Sequence, residues 1–195
     1  MRLRSTVQFM MNLVHMKKLH LCWEFCAGKT KYGIISAYFT SVVIHQDQVY
    51  AATYCPKTVI VYKHSGSSWV KVHSFSVDLN GTVTLSVKNN QIKCCSNRDN
   101  KIAASLSGEL LQTHGARGRG DAGRLNCPYI YDNDVDGSVL IADHVNDRLQ
   151  VMSERGEFSV LQLQPPAAWP RCAVLFNNNL YVTSNDKKII YKYAC

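Results

Sequence analysis

Residues 114–158 read HGARGRGDAGRLNCPYIYDNDVDGSVLIADHVNDRLQVMSERGEF, and no other segment says as much about the architecture. A Gly-rich lead, with Gly115, Gly118, Gly120 and Gly123, runs up to Pro128. Three short apolar runs follow, each closed by turn residues. Tyr129 to Tyr131 is stopped by Asp-Asn-Asp-Val-Asp-Gly, Val139 to Ala142 by Asp-His-Val-Asn-Asp, and Leu149 to Met152 by Ser-Glu-Arg-Gly. Asp136-Gly137 and the turn at Gly156 tolerate positive φ, so they read as hairpin turns. A fourth run, Phe158 to Leu163, alternates apolar and polar residues. The segment therefore predicts an antiparallel meander of four strands.

The same phrase recurs along the chain. Val49 to Tyr54 precedes a turn through Pro56 and the run Val59 to Tyr62. Ile92 to Ser96 precedes Asn97 to Ile102, and Leu180 to Ser184 precedes Asn185 to Ile190. With Val49, Ile92, Val139 and Leu180 as equivalent points, the spacings are 43, 47 and 41 residues. Strand-rich units at a period of roughly 40–50 residues point to blades. One meander cannot bury both faces of its sheet, so blades gain stability only when stacked around an axis. The expectation is an all-β chain: a β-propeller of about four four-stranded antiparallel blades, forming a small closed ring or an open partial propeller. Its repeats lie near 35–76, 77–115, 116–164 and 165–195.

The third repeat resembles the repeat of the NHL β-propeller family. In order it carries Gly118, Gly120, Gly123, Leu125, Asn126, Pro128, Asp136, Gly137, Ala142, Asp143, Asn146, Arg148, Leu149, Gln150 and Val151. The second repeat keeps Asn100-Lys101-Ile102 and the fourth keeps Asp186 to Ile189, while the first keeps little beyond the strand pattern. The resemblance spans roughly residues 35–193. It implies a propeller related to the target-selecting C-terminal part of tripartite-motif ubiquitin ligases and to RNA-binding translational regulators. NHL propellers usually have six blades, so it also implies a short or truncated member.

Composition sets bounds on this reading. The chain has 195 residues, 46% apolar and 18% charged, with a net charge of +8. That is ordinary for a globular protein and too little charge for a disordered one. Residues 1–34 hold six Lys/Arg against one acid, and residues 116–195 hold nine against nine. The basicity thus belongs largely to the N-terminal segment, which weakens any argument for nucleic acid from net charge. Residues 1–18 form a basic arm, disordered or helical, and 19–195 carry the repeats. No run approaches the ~20 apolar residues that span a bilayer, and no clean signal peptide is visible. A cytoplasmic location is expected, with no membrane association. The eight cysteines make no Cys-x-x-Cys pair and read as reduced packing residues.

Leu19 to Phe25 alternates with period two, the pattern of a half-buried strand. The last repeat supplies three strands, so residues 19–26 are a closing strand for it or one left over from a lost blade. An open arc would expose apolar blade faces and favour self-association.

Candidate sites are few. Asp132, Asp134 and Asp136 form D-x-D-x-D-G, but a calcium loop needs a Glu six residues after the Gly, and position 143 is Asp. Neither a metal nor a cofactor is expected. Asp143, Asn146 and Arg148 fit a scaffolding role, with the Asp and Asn satisfying turn N–H groups and the Arg reaching a carboxylate or neighbouring blade. Arg117, Arg119 and Arg124 place three guanidiniums on one inter-blade loop, where phosphates or acidic peptides would meet them. Tyr54, Trp69 and Trp169 supply aromatic contact surface. No P-loop, nucleophile elbow, metalloprotease helix or dinucleotide fingerprint is present.

The expected function is a non-catalytic scaffold that binds a protein, or an RNA, through its inter-blade loops. One alternative is the substrate- or RNA-recognition part of a tripartite-motif-like ligase; the RING segment that ligase activity needs is absent from this sequence. A second is a propeller lyase or lactone hydrolase with a central metal, which would need ligands converging from several blades.

Overall fold

The structure is a computed structural model and describes residues 29–30, 33–34, 39–66, 68–89, 91–106, 109–132, 137–185 and 189–194. Residues 19–26, Asp134, Asp136, Cys22, Cys26 and Cys195 lie outside them, as do the expectations that rest on those positions. Strands β1 (Lys29–Thr30) and β2 (Gly33–Ile34) form a small antiparallel pair. Blade 1 is β3 (Phe39–His45), β4 (Gln48–Thr53), β5 (Thr58–Ser65) and β6 (Ser68–Ser76). Blade 2 is β7 (Val83–Lys88), β8 (Gln91–Ser96), β9 (Lys101–Leu106) and β10 (Glu109–His114). After a connector holding β11 (Ala116–Arg117) and β12 (Arg124–Leu125) comes blade 3: β13 (Pro128–Asp132), β14 (Val139–Asp143), β15 (Arg148–Met152) and β16 (Phe158–Leu161). Blade 4 has β17 (Pro170–Phe176), β18 (Asn179–Ser184) and β19 (Ile190–Ala194). These sheets, all antiparallel meanders, make a four-blade β-propeller. Among the described residues, the one helical element is a 3-10 turn, His144–Asn146. Among the described residues, no helix is long and apolar enough to cross a membrane.

The inner strands of blades 2 and 3 read as near-continuous apolar runs because both faces of those blades are buried. In blade 3 the register pairs Tyr129 with Ala142 and Ala142 with Leu149, and this row packs toward blade 4. The alternate row, with Ile130, Val139, Ile141 and Met152, packs toward blade 2 against Cys95 and Ile102. A third cluster joins blades 1 and 2 through Ala52, Val59, Val83, Leu85 and Cys94. Each fully buried Ile or Leu contributes about 1.5–3 kcal/mol by leaving water. Among the described residues, no comparable cluster joins blade 4 to blade 1.

Neighbouring cysteines point in opposite directions here. Cys94 packs into the blade 1–2 cluster and Cys95 into the blade 2–3 cluster, as period-two alternation requires. Burial pushes the Cys94 thiol up to about 12 and the Cys172 thiol up to about 11, and raises Cys95 well above the ordinary thiol value. The thiolate is the nucleophile, so burial disfavours reaction at these residues in the folded state. Brief iodoacetamide treatment of folded protein should label exposed Cys55 and spare Cys94 and Cys95, which label only after denaturation. Peptide mass spectrometry checks this; labelling of Cys94 as fast as Cys55 would contradict the packing.

Candidate binding site at the connector end of blades 3 and 4

In a four-strand meander, the turn between strands two and three lies at one end, together with the connectors to the next blade. Tyr54, Asn97 to Asn100, the His144–Asn146 turn, the Gly-rich connector and Trp169 all belong to this end. Trp69 opens β6 beside the β5–β6 turn, at the opposite end, edge-on to His64 with ring centroids 5.0 Å apart. The two tryptophans singled out from the sequence therefore do not share a surface. Tyr54, 45% exposed, is at the connector end but on blade 1.

The Gly-rich connector folds back on itself. The Ala116 N–H donates to Gly123 O and the Gly118 N–H to Leu125 O, both at 3.0 Å, so β11 and β12 pair in parallel. Gly115, at φ +80°, makes this possible: a Cβ there would lie 2.6 Å from Leu125 Cδ1.

Asp143, fully buried, anchors the loop so formed. Its Oδ1 accepts the Asn126 N–H at 2.7 Å. Its Oδ2 accepts Asn146 Nδ2 at 2.8 Å, Arg148 Nε at 2.8 Å and Gln150 Nε2 at 2.9 Å. Those three residues in turn hold the connector. Asn146 donates to Gly118 O at 2.9 Å. Arg148 donates to Gly120 O, to Asp121 O at 3.0 Å and to Arg124 O at 2.7 Å. Gln150 donates to Arg124 O at 3.0 Å and accepts the Gly123 N–H at 2.8 Å. A chain segment with four glycines thus has its carbonyls fixed by one buried cluster. Gln150, fully buried, was not among the expected site residues. A glutamine inside the apolar run Leu149 to Met152 was the available signal.

Arg117, Arg119 and Arg124 stand exposed on this fixed loop. None of the three makes an ion pair among the described residues, whereas Arg148 is committed to Asp143 at 2.8 Å. Beside them an open pocket of about 160 Å³ is lined by Arg119, Gly120, Val145, Asn146, Asp147 and Arg148.

The turn His144–Asn146 links this pocket to blade 4. Asp147 Oδ1 accepts the Trp169 N–H at 2.7 Å, and His144 Nδ1 lies 3.0 Å from Pro170 O. The His144 ring is edge-on to Trp169 (5.2 Å, 90°) and to Tyr129 (5.9 Å, 86°). Arg171 lies over the Tyr129 ring at 5.2 Å, while Tyr131 Oη donates to Arg171 O. His144, Tyr129 and Arg171 carried no signal in the sequence, since β17 meets β13 and the His144–Asn146 turn only in the folded blade pair. No group of three His, Cys, Asp or Glu side chains is placed to hold a metal among the described residues.

A set of short antiparallel meanders packed side by side defines a small β-propeller protein. No family model matches the sequence, and no curated protein matches it. The NHL likeness therefore stays a resemblance, carried by the third repeat. Solved structures do match in fold. A Bacteroides thetaiotaomicron protein of unknown function superposes with a TM-score of 0.68 at 14% identity, over 82% of this chain and 48% of that one. A candidate 6-phosphogluconolactonase from Bacteroides uniformis gives 0.60 at 12% identity, over 86% and 53%. A streptogramin B lyase gives 0.54 at 17% identity, over 80% and 54%. The chain spans about half the length of these three proteins.

These similarities overturn the expectation that the chain is not an enzyme. Structures sharing its fold are named as a lyase and a lactonase. The physical reason is that a propeller brings together groups from separate blades, so missing contiguous motifs exclude nothing. At 10–17% identity the likeness shows the fold and assigns no reaction to this chain.

Proposed function

We propose that the connector end of blades 3 and 4 binds an acidic segment of a partner protein. The observation that carries this reading is the set of three exposed guanidiniums, Arg117, Arg119 and Arg124, on a loop whose backbone is pinned by Asp143, Arg148 and Gln150. Guanidiniums match carboxylates bidentately, and a fixed loop loses little freedom when it binds. A short acidic peptide fits better than RNA. Asp121 and Asp147 are interspersed among the arginines, and residues 116–195 are balanced in charge, so the long-range attraction that dominates polyanion binding is weak. RNA would also call for successive aromatic platforms, and Trp69 faces the other end.

Fluorescence anisotropy with a labelled Glu/Asp-rich peptide tests the reading. Three exposed pairs at roughly 0.5 kcal/mol each make about a tenfold difference. The variant Arg117→Ala/Arg119→Ala/Arg124→Ala should weaken binding by about that factor, and added salt should weaken it further. Tight binding of single-stranded RNA with no peptide binding would overturn it.

A further inference from the structure

Trp169 is held in a conformation that aromatic residues seldom adopt. Its φ is +48°, in the left-handed region, where a side chain with Cβ is strained. Strain of this kind persists only where the surroundings enforce it, and it clusters at ligand clamps. Here both backbone groups are tied: the N–H to Asp147 Oδ1 at 2.7 Å, the carbonyl to the Asn185 N–H at 3.1 Å. The indole is steadied from below by His144, itself 8% exposed, yet Trp169 remains 46% exposed. A large aromatic side chain, with its backbone fixed and its ring presented to solvent, has already lost the freedom that binding would otherwise cost.

Its neighbours specify what it would receive. Asp147, which holds the Trp169 N–H, also lines the open pocket with Arg119. On the other side, Arg171 is fixed over Tyr129. We propose that Trp169 is the apolar anchor of the site, so that its ligand is an acidic peptide carrying an aliphatic or aromatic side chain next to its carboxylates. The apolar group packs on the indole while a flanking carboxylate reaches Arg119. This rests on the acidic-segment reading and adds the class of residue that gives affinity.

Two labelled peptides of equal length and similar charge separate the ideas, one of Glu with Ser and one in which Leu replaces the Ser. On the native protein the Leu-bearing peptide should bind about tenfold tighter, and this advantage should persist in high salt. Trp169→Ala should abolish the advantage of the Leu-bearing peptide; Trp169→Phe should retain most of it. Circular dichroism and the thermal midpoint confirm that each variant is folded, and Trp169→Phe reports on the anchor even if Trp169→Ala is not. Equal binding of both peptides to native protein would overturn the anchor while leaving the acidic-segment reading intact. Failure of both peptides to bind would remove the reading and the anchor together.

Discussion

Asp143→Ala is expected to lower folding stability by about 3–5 kcal/mol, the cost of breaking a buried pair from one side. The carboxylate is fully buried, and its Arg148 partner is 15% exposed. Removing it strands a guanidinium, the Asn146 and Gln150 amides and the Asn126 N–H, all of which point at its oxygens. Each donor left without an acceptor in a dry site costs about 1–3 kcal/mol, partly relieved where water enters from the Arg148 side. Asp143→Asn keeps the shape but loses the charge and turns one acceptor into a donor, so it should be nearly as damaging. Arg148→Met leaves the fully buried Asp143 carboxylate without its counter-charge, so it too should be costly, and it frees the carbonyls of Gly120 and Asp121 and loosens the connector. Urea unfolding read by circular dichroism measures all three. A loss under 1 kcal/mol for Asp143→Ala would mean that the cluster is dispensable. The same variants separate stability from binding, since Arg148→Met should weaken acidic-peptide binding even under conditions where it is fully folded.

What the sequence made legible is local chemistry. The corners of blade 3 could be read because Gly137, Gly156 and the Asn and Asp residues restrict the backbone within a few positions of themselves. Asp143, Asn146 and Arg148 could be grouped because they flank one turn. Their acceptors could not, since those are main-chain carbonyls of Gly118 to Arg124, more than 20 residues away and identical in every residue type. Trp69 and Trp169 were separable in principle. Once the meander is assigned, Trp69 heads a fourth strand and Trp169 precedes a first strand, which places them at opposite ends. The constellation of Tyr129, His144, Trp169 and Arg171 depends on blades 3 and 4 facing each other, a tertiary fact with no spacing signature. For the same reason the absence of a catalytic motif said nothing about catalysis.

Leu149→Ala should cost about 2–5 kcal/mol, and the loss should fall unevenly over the molecule. Leu149 is fully buried in the cluster that joins blades 3 and 4, where Leu140, Ala142, Ala173, Leu180 and Val182 also meet. Truncation leaves a cavity in that seam. Stability in a stacked array is close to a sum of unit terms and nearest-neighbour interfaces. Blade 2 is held by clusters on both faces, as is blade 3. Blade 4, with three strands, is held among the described residues by this one cluster. Weakening it should therefore release β17 to β19 before the rest. Native-state hydrogen exchange should show the amides of Cys172, Val182 and Tyr191 losing protection, while those of Leu85 and Ile141 keep theirs. Val72→Ala, at a site 56% exposed, is the control and should shift stability by no more than about 0.5 kcal/mol. Uniform loss of protection across all four blades would show that blade 4 is also fastened to blade 1 and that the ring unfolds as one unit.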